Sequence, residues 1–258
     1  MAQFAILGSA AAVNDATHDY THFVLIGEED SPILVDAGSN PLGKLKDLGI
    51  GDEALEDLIL THFHPDHVSG LPNMMMHMWQ LGIKRGHLRE APLRIYGLHH
   101  CINRTEDIMT AFGWEDWPGF FPVFFNRVME RFHAPVLENH DFKITAWPVK
   151  HFVPTIGLRI ENKHNGNVLA YSCDTEPTDS LYELAQDADI LLHEAAGAPP
   201  GHSTARQAGE MATQVGAKAL YLIHYQVWNT DPEPLIAEAQ AVYDGPVVLC
   251  EDDDRFEF

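Results

Sequence analysis

Thr61-His62-Phe63-His64-Pro65-Asp66-His67 follows directly on the short apolar run Leu58-Ile59-Leu60. The apolar run reads as a buried strand, and the residues after it place three histidines and an aspartate within six positions. In an extended chain, side chains two positions apart point the same way, so His62, His64 and Asp66 are expected to face one cavity. Imidazole nitrogen and carboxylate oxygen are the ligands zinc takes when thiolates are absent. A lone histidine at a strand end is ordinarily a core or surface residue. Three with an aspartate in this spacing form a metal-ligating pattern.

Working outward, three further residues share that placement. His151 follows the strand-like Ile144 to Val149, Asp174 ends Val168 to Ser172, and His224 ends Leu220 to Ile223. Taken singly, each reads more readily as a structural residue than as a functional one. Together they lie where strands leave a sheet and side chains can converge on one rim. An aspartate has two oxygens and can bridge two cations, whereas an imidazole binds one, so Asp174 is the natural bridge.

Other short apolar runs bounded by Gly, Asp and Pro are Phe4 to Leu7, Phe23 to Ile26, Ile33 to Val35, Ile156 to Ile160, Ile190 to Leu192 and Val247 to Leu249. Helical stretches are expected at Pro41 to Leu48, Thr178 to Gln186, Ser203 to Val215 (opened by a Ser-Thr cap) and Pro232 to Tyr243. The order is β-rich, then mixed, then alternating β and α. Two packed sheets with helices outside suit that order better than one parallel sheet. No internal repeat or linker interrupts the chain, so a single domain spanning 1–258 is expected. Leu71 to Arg131 is set apart by its methionines and aromatics, which fit a core, a lid beside the site or a protein interface.

Composition bounds the function. The 258 residues are 45% hydrophobic, enough for a substantial core and against disorder. No run of apolar residues is long enough to span a membrane. Three irregularly spaced cysteines fit a reducing compartment, the cytoplasm by default, better than a disulfide framework. A formal net charge of −22 disfavours extended nucleic-acid binding. Sixteen histidines, as many as Lys and Arg combined, are unusual, and metal binding is one explanation for them.

The run His62-Phe63-His64-Pro65-Asp66-His67 resembles the HxHxDH signature of the metallo-β-lactamase superfamily. Later segments resemble its ribonuclease Z branch in the same order: Lys150-His151-Phe152-Val153-Pro154-Thr155, Tyr171-Ser172-Cys173-Asp174-Thr175, His193-Glu194-Ala195, Gly201-His202-Ser203-Thr204 and Leu222-Ile223-His224-Tyr225. Leu7-Gly8-Ser9 and Val35-Asp36-Ala37-Gly38 extend the similarity over nearly the whole chain. The resemblance implies an α/β fold, an αββα sandwich of two mixed β-sheets flanked by helices, with the site at one edge of the sheets. It also implies that His62, His64, His151 and Asp174 hold one divalent ion, and that Asp66, His67, Asp174 and His224 hold a second. The ions expected are Zn2+, with Mn2+ or Fe2+ as alternatives. His202 would contact the scissile phosphate or leaving group, and Glu194 would orient His202. The family often dimerises, which makes Leu71 to Arg131 a candidate homodimer surface.

Two cations about 3.5–4 Å apart clamp the attacking and leaving oxygens of an in-line displacement and lower the pKa of water to about 7. Asp66, with a spare oxygen, is the expected proton acceptor, and His202 the expected general acid. The chain departs from the ribonuclease Z pattern in three places. Only residues 152–173, 22 positions, separate His151 from Asp174, too few for a tRNA-clamping arm. Ala195 to Gly201 is short, and Ala37-Gly38-Ser39-Asn40 stands where a GEGT-like run is usual. A phosphodiesterase acting on a small phosphodiester, a cyclic nucleotide or a short RNA end is therefore the leading expectation. The alternatives are a hydrolase of a lactone, thioester, sulfate ester or β-lactam, and a metal-binding scaffold without turnover.

Overall fold

A computed structural model describes residues 2–258. The first sheet has the order β14-β1-β2-β3-β4-β5-β6, built from β1 (Gln3–Gly8), β2 (His22–Ile26), β3 (Ile33–Val35), β4 (Asp57–Ile59), β5 (Leu93–Leu98), β6 (Val123–Val128) and β14 (Arg255–Glu257). The second has the order β13-β12-β11-β10-β9-β8-β7, from β7 (Ala134–Glu138), β8 (Phe142–Val149), β9 (Thr155–Asn162), β10 (Val168–Tyr171), β11 (Ile190–Ala195), β12 (Leu220–Tyr225) and β13 (Val247–Leu249). Both sheets obey one pattern. From β14 to β3 neighbours run antiparallel, and from β3 to β6 parallel. From β7 to β10 they run antiparallel, and from β10 to β13 parallel. The sequence shows no repeat, yet the two halves share a pairing scheme.

Side-chain alternation builds the layers. Phe4 and Ile6, Phe23 and Leu25, and Ile33 and Val35 face the other sheet, meeting Ile156, Leu158, Ile160, Leu169 and Tyr171 in the central core. The residues between them, Ala5, Val24 and Leu34, face α1 (Pro41–Asp47), α3 (Gly70–Arg85) and α4 (His99–Ala111). On the far side, Ala170, Leu191 and Leu222 pack against α5 (Asp179–Ala185), α6 (Ala205–Val215) and α7 (Pro234–Gln240). The result is the expected αββα sandwich. Strands buried on both faces carry few polar residues, which is why they read as continuous apolar runs.

Caps lie where the sequence places them. Thr204 and Gln207 form a capping box at α6, and the Asn40 side chain accepts from Gly43 at the start of α1. In α3, Leu71, Met74, Met75 and Met78 recur at helical spacing and are all buried, so these methionines are core. No helix among the described residues is long and apolar enough to cross a membrane.

Candidate metal centre

Pro65 breaks the extended run expected from Thr61 to His67. Its fixed φ opens a short helix, α2 (Pro65–Val68), at the first position. His62 and His64 therefore stay in the extended segment after β4, while Asp66 turns out of register with them and comes beside His67. The extended conformation expected through Asp66 is corrected accordingly, while His62, His64 and Asp66 still border one cluster. The structure still brings all seven predicted ligands to one rim, in two groups that share Asp174. His62, His64, His151 and Asp174 form one, and Asp66, His67, Asp174 and His224 the other; within each, one donor atom per residue lies within 4.8 Å of the rest. Each group draws two residues from the first half of the fold, after β4, and two from the second sheet and its strand ends.

The rim sits where strand direction changes within each sheet, next to β3 in the first and β10 in the second, a general location for binding sites in sheets with parallel strands. The backbone there is strained. Asp36 after β3, Cys173 after β10 and His224 in β12 have φ of 61°, 52° and 52°, left-handed values that non-glycine residues rarely adopt. His224 also lies at a register shift, because Glu194 pairs with Ile223 but Ala195 with Tyr225. The bulge re-aims its ring into the site. On the other side the Asp36–Gly38 segment clasps α2 and the start of α3: Ala37 N–H donates to His67 O at 2.8 Å and Gly70 N–H to Ala37 O at 3.1 Å. A Cβ on Gly70 would stand 1.8 Å from Gly38 O, so only glycine permits this approach.

Outer hydrogen bonds aim the imidazoles. His67 Nδ1 donates to Asp36 Oδ2 at 2.8 Å, His151 Nδ1 to Gly201 O at 2.7 Å, and His224 Nδ1 lies 3.0 Å from Thr21 Oγ1. Each leaves Nε2 turned inward. Asp174 Oδ2 is 3.1 Å from His224 Nε2, 3.7 Å from His151 Nε2 and 3.8 Å from His62 Nε2, while Oδ1 is 3.4 Å from His67 Nε2.

These residues fit divalent cations. His64 Nδ1 is 3.0 Å from His62 Nε2 and 3.1 Å from His151 Nε2, an arrangement in which one nitrogen cannot share a proton with both neighbours. Zn–N bonds of about 2.0–2.1 Å at a tetrahedral angle would separate two such nitrogens by roughly 3.3 Å. Burial lowers the pKa of His62 and His64, and brings His151 down to about 4, so their lone pairs are free. Burial alone would raise Asp174, but His224 and His67 hold it well below the usual carboxylate range. His67 is likewise opposed by burial, but Asp174 and Asp36 raise it well above the ordinary value. His67 Nε2 and Asp174 Oδ1 are buried without a hydrogen-bond partner, a cost that a cation between them would remove. Cys173 Sγ is 3.5 Å from His62 Nδ1, but burial, with Asp174 and Asp36, pushes its thiol up and keeps it protonated.

His202 stands beside the cluster, its ring 5.0 Å from that of His151 and 5.9 Å from that of His224. Its Nδ1 lies 3.1 Å from Glu194 Oε1. Burial raises the pKa of Glu194 against the hydrogen bond from His202, while Thr175 and Ser203 N–H donate to Oε1 and Ala196 N–H to Oε2, fixing this fully buried side chain in place. Burial works to lower His202, but the hydrogen bond and charge of Glu194 outweigh it and raise the pKa. Asp36, Thr21 and Gly201 are site residues to which the sequence assigns no role, although Asp36 and Gly201 lie inside the matching segments. Asp36 also carries a signal of its own, as a carboxylate ending a buried strand.

The family described as Anti-Pycsar protein Apyc1 matches residues 2–239. Ribonuclease Z of Methanothermobacter thermautotrophicus is 26% identical over 314 residues, covering 98% of this chain and 95% of that protein. Uncharacterized protein Rv1339 of Mycobacterium tuberculosis is 31% identical over 268 residues, covering 98% of this chain and 90% of the other. The metallo-β-lactamase fold protein YhfI from Bacillus subtilis superposes with a TM-score of 0.84 at 24% identity, over 100% of this chain and 99% of its own.

Proposed function

Because this chain belongs to the Anti-Pycsar protein Apyc1 family, within the ribonuclease Z-like branch of the metallo-β-lactamase superfamily, we propose that it is a binuclear metal-dependent phosphodiesterase acting on small nucleoside phosphodiesters. His62, His64, His151 and Asp174 would hold one ion, and Asp66, His67, Asp174 and His224 the other. Zinc suits this all-nitrogen-and-oxygen donor set. When bound, the cations supply positive charge for the phosphoryl oxygens and lower the pKa of water towards neutrality.

The chain's own residues do the rest. Asp66 accepts the proton of the attacking water, and His202, seated on Glu194, gives one to the departing oxygen. The pairing of His202 with a buried carboxylate beside the metal cluster is the observation that carries this reading. A proton donor there suits an alkoxide leaving group. The few residues between His151 and Asp174, with the net charge of −22, support a small substrate over tRNA. Three free, buried cysteines suit a reducing compartment such as the cytoplasm. Exposed Phe112, Phe124 and Met129 suit a second copy of the chain.

The test is a panel of chromogenic phosphodiester, lactam and thioester substrates with added zinc or manganese. We expect turnover of the phosphodiester. Hydrolysis of the lactam or thioester with the phosphodiester untouched would reject the proposal.

A further inference from the structure

Phe152 is 61% exposed, although its ring centroid is only 5.0 Å from that of His151 and 6.0 Å from that of His202. A single exposed aromatic is unremarkable by itself. This one has a built seat. Gly201, with φ of +84°, lies directly against the ring, and a Cβ there would be 2.4 Å from Phe152 Cε2 and 2.5 Å from Cζ. Gly201 O receives the His151 Nδ1 hydrogen bond at 2.7 Å, and Gly201 N–H donates to Glu176 Oε1 at 3.0 Å. One residue thus orients a proposed metal ligand and supports the aromatic ring beside it, while most of that ring stays in solvent.

Phe152 also lines a cavity of about 550 Å³ with His151, Phe132, Pro148, Lys150, Pro154 and Ser180. Phe132, between β6 and β7, is 48% exposed. The volume lies within the range of small-molecule sites, and the lining is half apolar and half polar, with Glu130 and Asp179 among its polar groups.

We propose that Phe152 is a specificity-determining residue, the platform on which the flat base of a nucleoside phosphodiester stacks as it enters the cavity shared with Phe132. The inference rests on the phosphodiesterase reading above. A nucleobase is the occupant favoured over an apolar protein surface, because a protein seated on Phe152 would cover His202 and the metal cluster as well. Stacking accepts any base, since every base has a π-face. Lys150, paired with Glu176 at 2.9 Å, and Ser180 are left for the polar edge of the base or sugar.

The experiment titrates the metal-loaded protein calorimetrically with adenosine 5′-monophosphate and with ribose 5-phosphate, which share a phosphate and a sugar but not a base. We expect wild type to prefer the nucleotide by roughly 5- to 100-fold, F152A to lose that preference, and F152W to keep it. Affinity for ribose 5-phosphate stays the same in all three. A preference retained in F152A, or absent from wild type, overturns the proposal. Turnover of bis(p-nitrophenyl) phosphate by the same wild-type sample separates the two readings. Without it the phosphodiesterase assignment fails, whereas turnover with an unchanged F152A preference removes the stacking platform alone.

Discussion

Asp36 Oδ2 receives the Nδ1 hydrogen of His67 at 2.8 Å, and both side chains are buried. The same carboxylate accepts from the Thr61 N–H at 2.8 Å and from its hydroxyl, tying the end of β3 to the segment that carries His62 and His64. Asp36 therefore fixes the tautomer of one proposed ligand and the path of two others. Outer partners of this kind typically contribute 10- to 100-fold in metal affinity. Asp36→Ala is expected to weaken binding by about that factor, chiefly for the ion held by His67, while circular dichroism stays native. Chelator competition measures it, and unaltered affinity for both ions would mean that His67 is oriented by something else.

His64 and His202 separate binding from chemistry. His64→Ala removes a nitrogen within 3.1 Å of two others, so metal content and activity should fall together. His202→Ala should keep its full metal content but slow turnover by roughly 10²- to 10⁴-fold, the usual scale for a general acid. Elemental analysis alongside kcat decides. Full metal content in His64→Ala would show the ligand set to be wrong.

Asp141 predicts a pH dependence of stability. Its carboxylate accepts from the backbone of Glu28, Glu29 and Asp30 and from His164 Nε2, joining the β2–β3 turn to the β7–β8 turn. Burial alone would raise it, but these donors lower the pKa from 3.8 to about 2. Because the folded value is the lower one, the stabilisation is complete above pH 4 and disappears as pH falls towards 2. It amounts to about 2 kcal/mol. Asp141→Ala should lose that much at pH 7, with the gap to wild type closing in acid. Melting curves at several pH values test this; a gap independent of pH would argue against it.

Arg89 has no carboxylate partner in its hydrogen-bond set. Its guanidinium donates to the carbonyls of Ala91, Asp52, Leu55 and Pro92 and lies over the Phe121 ring. Lysine cannot reproduce that planar fork. Arg89→Lys and Arg89→Ala should both destabilise the protein, each by about 2–4 kcal/mol, since buried carbonyls lose their donors. The readout is denaturant unfolding, with a change below 0.5 kcal/mol, about the surface-substitution range, counting against the clamp.

Much of this architecture was legible because the central strands are buried on both faces. Ile33–Val35 and Val247–Leu249 were read to the residue, and the cap of α6 was visible as Ser203-Thr204. The strands that escaped notice lie at edges or in mixed company. β14 is short and half in water, β7 contains Pro135, and β5 alternates with Arg94 and Tyr96. Helices α3 and α4 were hidden in a stretch read only for its methionines and aromatics. The metal-proximal residues stood out because their chemistry is unusual. Thr21 does not, and the role of Gly201 is not legible within its matching segment, since a single hydroxyl or a backbone carbonyl leaves no signature in sequence.

Each group of proposed ligands takes two members from either half of the fold, and this gives the two cations a mechanical meaning. Bound there, they would rivet one layer of the sandwich to the other, so that any slippage between the layers distorts both coordination spheres at once. Loading the protein would then stiffen the whole molecule, and the strained strand ends at Asp36, Cys173 and His224 would be the places where its release is first felt.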